Sequence, residues 1–208
     1  MKRKQLGIMI FEEIEVLDFC GPFEVFSVTR LDEDRRREDP SPFDVILVSE
    51  SRHPVTTTGG MKVIPDFTFD DCPTLDILVV PGGWGTRKEM HNEVVLSFVR
   101  SRAPNVETLA SVCTGALVLG SAGLLDGLRA TTHWRSLKMM QELFPKVTVD
   151  AAAHVVKAGK VITSAGISAG IDMALQVVAD YFGEEVARAA ARHMEYPFPE
   201  SNERRVAL

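Results

Sequence analysis

The stretch Ser111-Val112-Cys113-Thr114-Gly115 decides how this chain is interpreted, because it places a cysteine between a predicted strand and a predicted helix. Upstream, 106–112 has the apolar character of a short buried strand. Downstream, Gly115-Ala116-Leu117-Val118-Leu119-Gly120 is apolar and rich in small residues, so a helix there packs close to a sheet. A strand that turns sharply into a helix forms a nucleophile elbow. The amides of the helix N-terminus then favour the thiolate of Cys113, which is the reactive form.

The alternative is that Cys113 is a structural residue, since free cysteine is among the most buried residue types. The chain has two further cysteines, Cys20 and Cys72, and neither lies at a junction of this kind. We expect both of them to be unreactive. The flanking sequence is what sets Cys113 apart.

Strand and helix patterns alternate on both sides of this stretch. Near-continuous apolar runs predict buried parallel strands at 6–11, 43–48 and 75–80. Three-and-four spacing of apolar residues predicts helices at 22–31, 88–100, 114–124, 136–143 and 168–182. Two segments, 56–63 and 155–163, are predicted as hairpins that decorate the main sheet. The alternation indicates one α/β domain over 1–208, a three-layer sandwich with a mostly parallel central sheet.

Composition excludes several classes of function. The 208 residues carry a formal net charge of -6 and no basic block, which argues against a nucleic-acid partner. No run approaches the ~18 apolar residues of a membrane span, and three cysteines are too few for a disulfide framework. Without a CxxC pair or HxxxH spacing, no metal site is predicted. We expect a cytoplasmic protein with no membrane partner and no cofactor.

The loop after the first strand carries Asp18. An aspartate before a helix is often its N-cap. Pro22, however, favours the first helical position and makes Gly21 the natural cap, so Asp18 is expected upstream of the helix. If this loop lies beside Cys113, the carboxyl and the thiol titrate as a coupled pair. The useful form is a protonated Asp18 next to a Cys113 thiolate.

Two further loops follow strands. Gly82 and Gly83 form either an ordinary turn or a site where the amides of Gly83 and Thr114 bind negative charge and substrate. His133 follows another short strand and is either a packed or capping histidine or part of the site. Loops at the carboxyl ends of parallel strands are where ligands bind in such sheets.

Taken together, an ordered set of motifs resembles the ThiJ/PfpI superfamily over residues ~5 to 198. The motifs are Asp18 with Gly21-Pro22, Pro81-Gly82-Gly83, Ser111 to Ala116, Leu124 to Gly127, Ala130 to Trp134 and Thr163 to Asp172. The resemblance implies a class I glutamine amidotransferase-like (flavodoxin-like) fold, a small-molecule substrate and a homodimer.

Within this superfamily the chain is most similar to isonitrile hydratases and to the ligand domains of AraC-type regulators. That similarity implies that Cys113 is the nucleophile and that Asp18 and Thr114 are needed for activity, with the role of His133 open. The implied reaction is hydration of an isonitrile to an N-substituted formamide. Two alternatives are a ligand- or redox-sensing module without enzymatic activity, and a cysteine amidohydrolase or aldehyde-modifying enzyme.

Overall fold

Parallel strands and helices alternate along the chain in a computed structural model that describes residues 2–206. The strands are β1 (Lys4–Met9), β2 (Phe43–Ser49), β3 (Val55–Thr56), β4 (Lys62–Val63), β5 (Phe67–Thr68), β6 (Ile77–Val80), β7 (Thr108–Ser111), β8 (Arg129–Ala130), β9 (Thr148–Val149), β10 (Val155–Ala158) and β11 (Val161–Ser164). The helices are α1 (Val16–Val28), α2 (Thr86–Glu89), α3 (Glu93–Arg102), α4 (Gly115–Ser121), α5 (Leu137–Leu143), α6 (Ala169–Phe182) and α7 (Glu184–His193).

Seven strands form the central sheet in the order β10-β11-β7-β6-β1-β2-β5. Within this sheet the pairs from β11 to β5 are parallel, and the pairing of β10 with β11 is antiparallel. β1 and β6 are central strands and their Leu6, Ile8, Leu78 and Val79 are fully buried, as the apolar runs predict. The mostly parallel sheet of the sequence analysis is confirmed.

Helices cover both faces of this sheet. The crossover from β1 through α1 to β2 steps one way along the sheet, and the crossover from β6 through α3 to β7 steps the other way. Because such crossovers are right-handed, α1 and α3 lie on opposite faces. Contacts agree with this, since α1, α6 and α7 pack together while α2 and α3 pack on α4. The result is the predicted three-layer sandwich. The direction in which the crossovers step along the sheet reverses between β1 and β6, which are themselves parallel.

Several predicted boundaries are wrong. Helix α1 starts at Val16, so Asp18 lies in its first turn and Pro22 lies inside the helix. The helix predicted at 88–100 is two helices, because Asn92 caps α3 by accepting a hydrogen bond from the amide of Val94 at 3.1 Å. Helix α7 was not predicted.

The two hairpins have different outcomes. β3 and β4 form a separate antiparallel pair, as predicted. β10 and β11 are also antiparallel, but β11 pairs with β7 and so belongs to the central sheet rather than decorating it. No helix within residues 2–206 is long and apolar enough to cross a membrane.

Candidate active site

The reversal of strand order brings the loops after β1, β6 and β7 to one edge of the sheet. In open α/β sheets this crevice, at the carboxyl ends of the strands, is where ligands bind. Asp18 follows β1, Gly82 and Gly83 follow β6, and Cys113 follows β7. Topology thus assembles the residues singled out in the sequence.

Cys113 occupies a sharp turn between β7 and α4. Its φ of 56° lies in the left-handed region, where a non-glycine residue costs about 1–3 kcal/mol. Hydrogen bonds hold this backbone on both sides: the Cys113 amide donates to the Ala165 carbonyl at 3.1 Å, and the Thr132 hydroxyl donates to the Cys113 carbonyl at 2.7 Å. A side chain at Gly115 would collide with the Val80 carbonyl oxygen. These features are those of a nucleophile elbow.

The Asp18 carboxyl is fully buried next to the Cys113 thiol. Its Oδ2 accepts a hydrogen bond from the Gly82 amide at 2.9 Å, whereas its Oδ1 has no partner of normal hydrogen-bond geometry in the described chain. Burial raises the pKa of Asp18 to about 8, and the nearby charge of Glu15 adds to the rise. The Gly82 amide and the thiol act in the opposite direction but more weakly. Asp18 therefore carries a proton at neutral pH.

The Cys113 thiol is protonated in the same state. Burial, followed by the Asp18 carboxyl, raises the pKa of this thiol well above its usual value. Three donors oppose this rise: the amides of Thr114 and Ile167, and the Thr114 hydroxyl. The expectation that the elbow alone favours a thiolate is thus wrong for the resting protein, because desolvation outweighs the helix N-terminus. The donors do mark where a negative sulfur is stabilised once it forms.

The hydroxyl of Thr114 connects the β6 loop to the elbow. Its Oγ1 accepts a hydrogen bond from the Gly83 amide at 3.0 Å and lies 3.0 Å from the Thr86 hydroxyl. The Gly83 amide is therefore engaged, which differs from the expectation that it binds substrate charge. The Gly82 amide is likewise used to hold Asp18. Both glycines position other groups, while the Thr114 amide faces the sulfur.

His133 begins the short helical turn Trp134–Ser136. Its Nδ1 accepts a hydrogen bond from the Arg135 amide at 3.3 Å, which is the capping arrangement considered above. Burial lowers the pKa of His133, and the positive charges of Arg135, Arg204 and Arg87 lower it further. The imidazole is therefore neutral at neutral pH. It lines the same cavity as Cys113.

A cavity of about 330 Å³ opens onto the sulfur. Its lining residues are Glu15, Gly83, Trp84, Arg87, Cys113, Thr114, His133, Trp134, Arg135 and Ile167. The sequence analysis missed six of these. Trp134 and Ile167 lie within the quoted motifs but were given no role there, and the positive φ of 48° at Ile167 is not predicted by its sequence. Glu15, Trp84, Arg87 and Arg135 lie outside those motifs and belong to no recognised spacing.

The other two cysteines lie outside this cavity. Cys20 is on α1, and Cys72 is buried and donates to the Pro73 carbonyl at 3.4 Å. Burial raises the pKa of both thiols. Within residues 2–206, no group of three or more His, Cys, Asp or Glu side chains is arranged to hold a metal ion.

Comparison with known families identifies this arrangement. The model of the DJ-1/PfpI family matches residues 4–180, which include the elbow and all three loops. The chain belongs to the DJ-1/PfpI family. This confirms the ThiJ/PfpI resemblance and, with it, the class I glutamine amidotransferase-like fold.

Relatives within the DJ-1/PfpI family differ in function. The chain is 38% identical over 193 residues to an isonitrile hydratase of Pseudomonas putida, covering 92% of this chain and 78% of the relative. It is 33% identical over 142 residues to the HTH-type transcriptional regulator GbdR of Pseudomonas aeruginosa. That match covers 68% of this chain and 38% of the regulator.

Solved structures of the DJ-1/PfpI family superpose closely. A THiJ/PfpI family protein from Pseudomonas syringae gives a TM-score of 0.83 at 31% identity, covering 97% of this chain and 79% of the other. DJ-1beta of Drosophila melanogaster gives a TM-score of 0.77 at 20% identity, covering 94% and 100%. The second likeness shows the fold alone.

Proposed function

We propose that this protein hydrates isonitriles to N-substituted formamides. One observation carries the proposal: a buried Asp18 that is protonated at neutral pH lies beside Cys113 on the elbow, at the floor of a small-molecule cavity. An isonitrile reacts at one carbon, which must gain both a nucleophile and a proton. The pair supplies both from adjacent atoms. The similarity to the isonitrile hydratase of Pseudomonas putida supports the same reaction.

The first step forms a thioimidate. Asp18 delivers its proton to the terminal carbon of the isonitrile, and the carboxylate that this leaves takes the proton of the Cys113 thiol. The Cys113 sulfur attacks the same carbon while the amides of Thr114 and Ile167 stabilise its negative charge. A carbon–hydrogen bond and a carbon–sulfur bond form, the sulfur–hydrogen bond breaks, nitrogen keeps a double bond to carbon, and Asp18 is again protonated.

The second step consumes water. Asp18 donates its proton to the thioimidate nitrogen as water attacks the carbon, and the resulting carboxylate takes a proton from that water. The tetrahedral intermediate then collapses: the hydroxyl oxygen forms the carbonyl and gives its proton to Asp18, Asp18 passes its own proton to the sulfur, and the carbon–sulfur bond breaks. The formamide leaves, and the protonated Asp18 and the Cys113 thiol are regenerated. One water is consumed for each isonitrile.

The experiment measures formamide production from a panel of isonitriles by the purified protein. We expect turnover by the wild type, none by Cys113→Ala, and full turnover by Cys72→Ala, which removes a thiol outside the cavity. Thermal unfolding of each variant separates loss of chemistry from loss of fold. If the wild type converts no isonitrile, or Cys113→Ala converts it equally well, the proposal is wrong.

A second candidate is a ligand- or redox-sensing module, favoured by the match to the regulator GbdR. The raised pKa of the Cys113 thiol argues against the redox form, because oxidation follows thiolate character. Selective oxidation of Cys113 by dilute peroxide, without turnover of isonitriles, would favour a sensor. Turnover of amides or methylglyoxal alone would instead select the amidohydrolase or aldehyde-modifying alternative.

The assembly and location of the protein stay predictions. We propose a homodimer that acts on a small molecule in the cytoplasm without nucleic acid, membrane or cofactor. Light scattering at known concentration tests the dimer directly, and a monomeric mass would contradict it.

A further inference from the structure

The rim of the cavity carries two arginine–tryptophan pairs. The Arg87 guanidinium lies 4.8 Å from the Trp84 ring centroid, and that of Arg135 lies 4.8 Å from the Trp134 ring centroid. Both tryptophans are unusually exposed for their size, at 61% and 43%. Each ring holds its arginine through a cation–π contact, which reduces the conformational freedom that a ligand must otherwise remove.

Neither guanidinium has an acidic partner. Within residues 2–206, no carboxylate lies within 4 Å of Arg87 or Arg135, although eight other arginines are in ion pairs. Arg87 donates to the Gly83 carbonyl at 3.1 Å and Arg135 makes no side-chain hydrogen bond to the described residues. Among the described residues, Glu15 is the one acidic side chain that lines the cavity.

The rim is therefore positive on a protein whose formal net charge is -6. Burial is the main cause of the lowered pKa of His133, and the positive charges of Arg135, Arg204 and Arg87 lower it further, so their field reaches into the site. A local field opposite in sign to the whole molecule draws anions to the cavity rather than to the surface at large.

Resting on the proposed function, we infer that the preferred substrates are isonitriles whose N-substituent carries a carboxylate, bound by Arg87 and Arg135 at the rim. A planar guanidinium fork matches the two oxygens of a carboxylate. Trp84, Trp134 and Ile167 add an apolar wall, and about 330 Å³ accommodates a ligand of amino-acid size. The chemical class is thus an isonitrile derived from an apolar amino acid.

The test compares the salt of 2-isocyano-3-phenylpropanoate with its neutral methyl ester. We expect the wild-type kcat/KM to be at least tenfold higher for the salt, and this preference to shrink as ionic strength rises. Arg135→Gln and Arg87→Gln should each lower the salt-to-ester ratio about tenfold. Arg37→Gln makes the same charge change at an exposed position outside the cavity and should leave the ratio unchanged. Equal kcat/KM for salt and ester in the wild type would overturn the inference.

A binding measurement separates this inference from the proposed function. Calorimetry with Cys113→Ala compares N-formylphenylalanine, the product carrying a carboxylate, with its methyl ester. Turnover of the ester and of other neutral isonitriles, with no selectivity for the carboxylate in either assay, leaves the hydratase in place and overturns the carboxylate site. Carboxylate-selective binding without turnover of any isonitrile keeps the anion site and overturns the hydratase. Failure of both assays overturns both.

Discussion

Replacing Asp18 with asparagine removes the proton that the proposed reaction needs while keeping the shape of the side chain. The amide oxygen of asparagine still accepts the hydrogen bond of the Gly82 amide, so the loop geometry is retained. With a pKa of about 8, Asp18 is ~90% protonated at pH 7 and acts as the acid. Loss of general acid catalysis lowers turnover ~100- to 10,000-fold. The wild-type kcat/KM falls above about pH 8, and the asparagine variant lacks this fall.

The same substitution has a consequence for stability. Because the folded-state pKa of Asp18 is raised, the folded protein binds one more proton than the unfolded chain between the two pKa values. Stability is thus lost as pH rises from about 4 towards 8. From pH 5 to pH 9 the loss has an upper bound of roughly 4 kcal/mol, which the asparagine variant does not suffer.

Two assays check this reasoning. Formamide production at pH 7 tests the acid role, and thermal unfolding at pH 5 and pH 9 tests the linkage. Relative to wild type, the variant should gain several degrees in Tm between pH 5 and pH 9, since ~2–4 °C corresponds to 1 kcal/mol at this size. Asp70→Asn, at an exposed position, is the matched control. Near-wild-type turnover refutes the acid role, and identical pH dependence of Tm refutes the raised pKa.

Three further predictions concern the groups around Cys113. Gly82→Ala places a Cβ 2.6 Å from the Thr114 amide nitrogen and 2.7 Å from Asp18 Oδ2. We therefore expect the free energy of unfolding, measured by chemical denaturation, to fall by about 1–3 kcal/mol and turnover to fall greatly. Wild-type stability and turnover would show that neighbouring atoms move aside without cost. Thr114→Val leaves the buried Gly83 amide without its acceptor, at a cost of about 1–3 kcal/mol in the free energy of unfolding, whereas Thr114→Ser keeps the hydroxyl and is expected to lose far less. Equal unfolding midpoints for the two variants would show that the Thr114 hydroxyl does not hold the Gly83 amide. Alkylation of Cys113 by iodoacetamide, followed by mass spectrometry, should be slow at pH 7 and become steadily faster up to about pH 9.5, because burial raises the pKa of the thiol. A rate that is fast and constant over this range would mean that a thiolate is present at rest.

Much of the fold could be predicted because the signals are local. Apolar runs mark β1, β2 and β6 since strands buried on both faces need them, and the junction at Cys113 marks the elbow. The sequence indicates the ends of helices and strands less clearly. Pro22 indicates a helix start, but tertiary packing extends α1 back to Val16 and tolerates the lost hydrogen bond. The place of β10 and β11 depends on pairing with β7, which no hairpin pattern contains.

The order of residues is enough to show which reactive groups are present and that a strand-to-helix turn carries Cys113. The contact of Asp18 with this thiol arises only on folding, when Asp18 accepts a hydrogen bond from the Gly82 amide, 64 residues away in sequence. Folding also sets the protonation of Asp18 and Cys113, because their pKa values depend on burial by elements that are remote in sequence and on nearby charges. The positive field at the rim of the cavity likewise depends on folding, because Arg87 and Arg135 lie on separate segments that meet only in the folded chain.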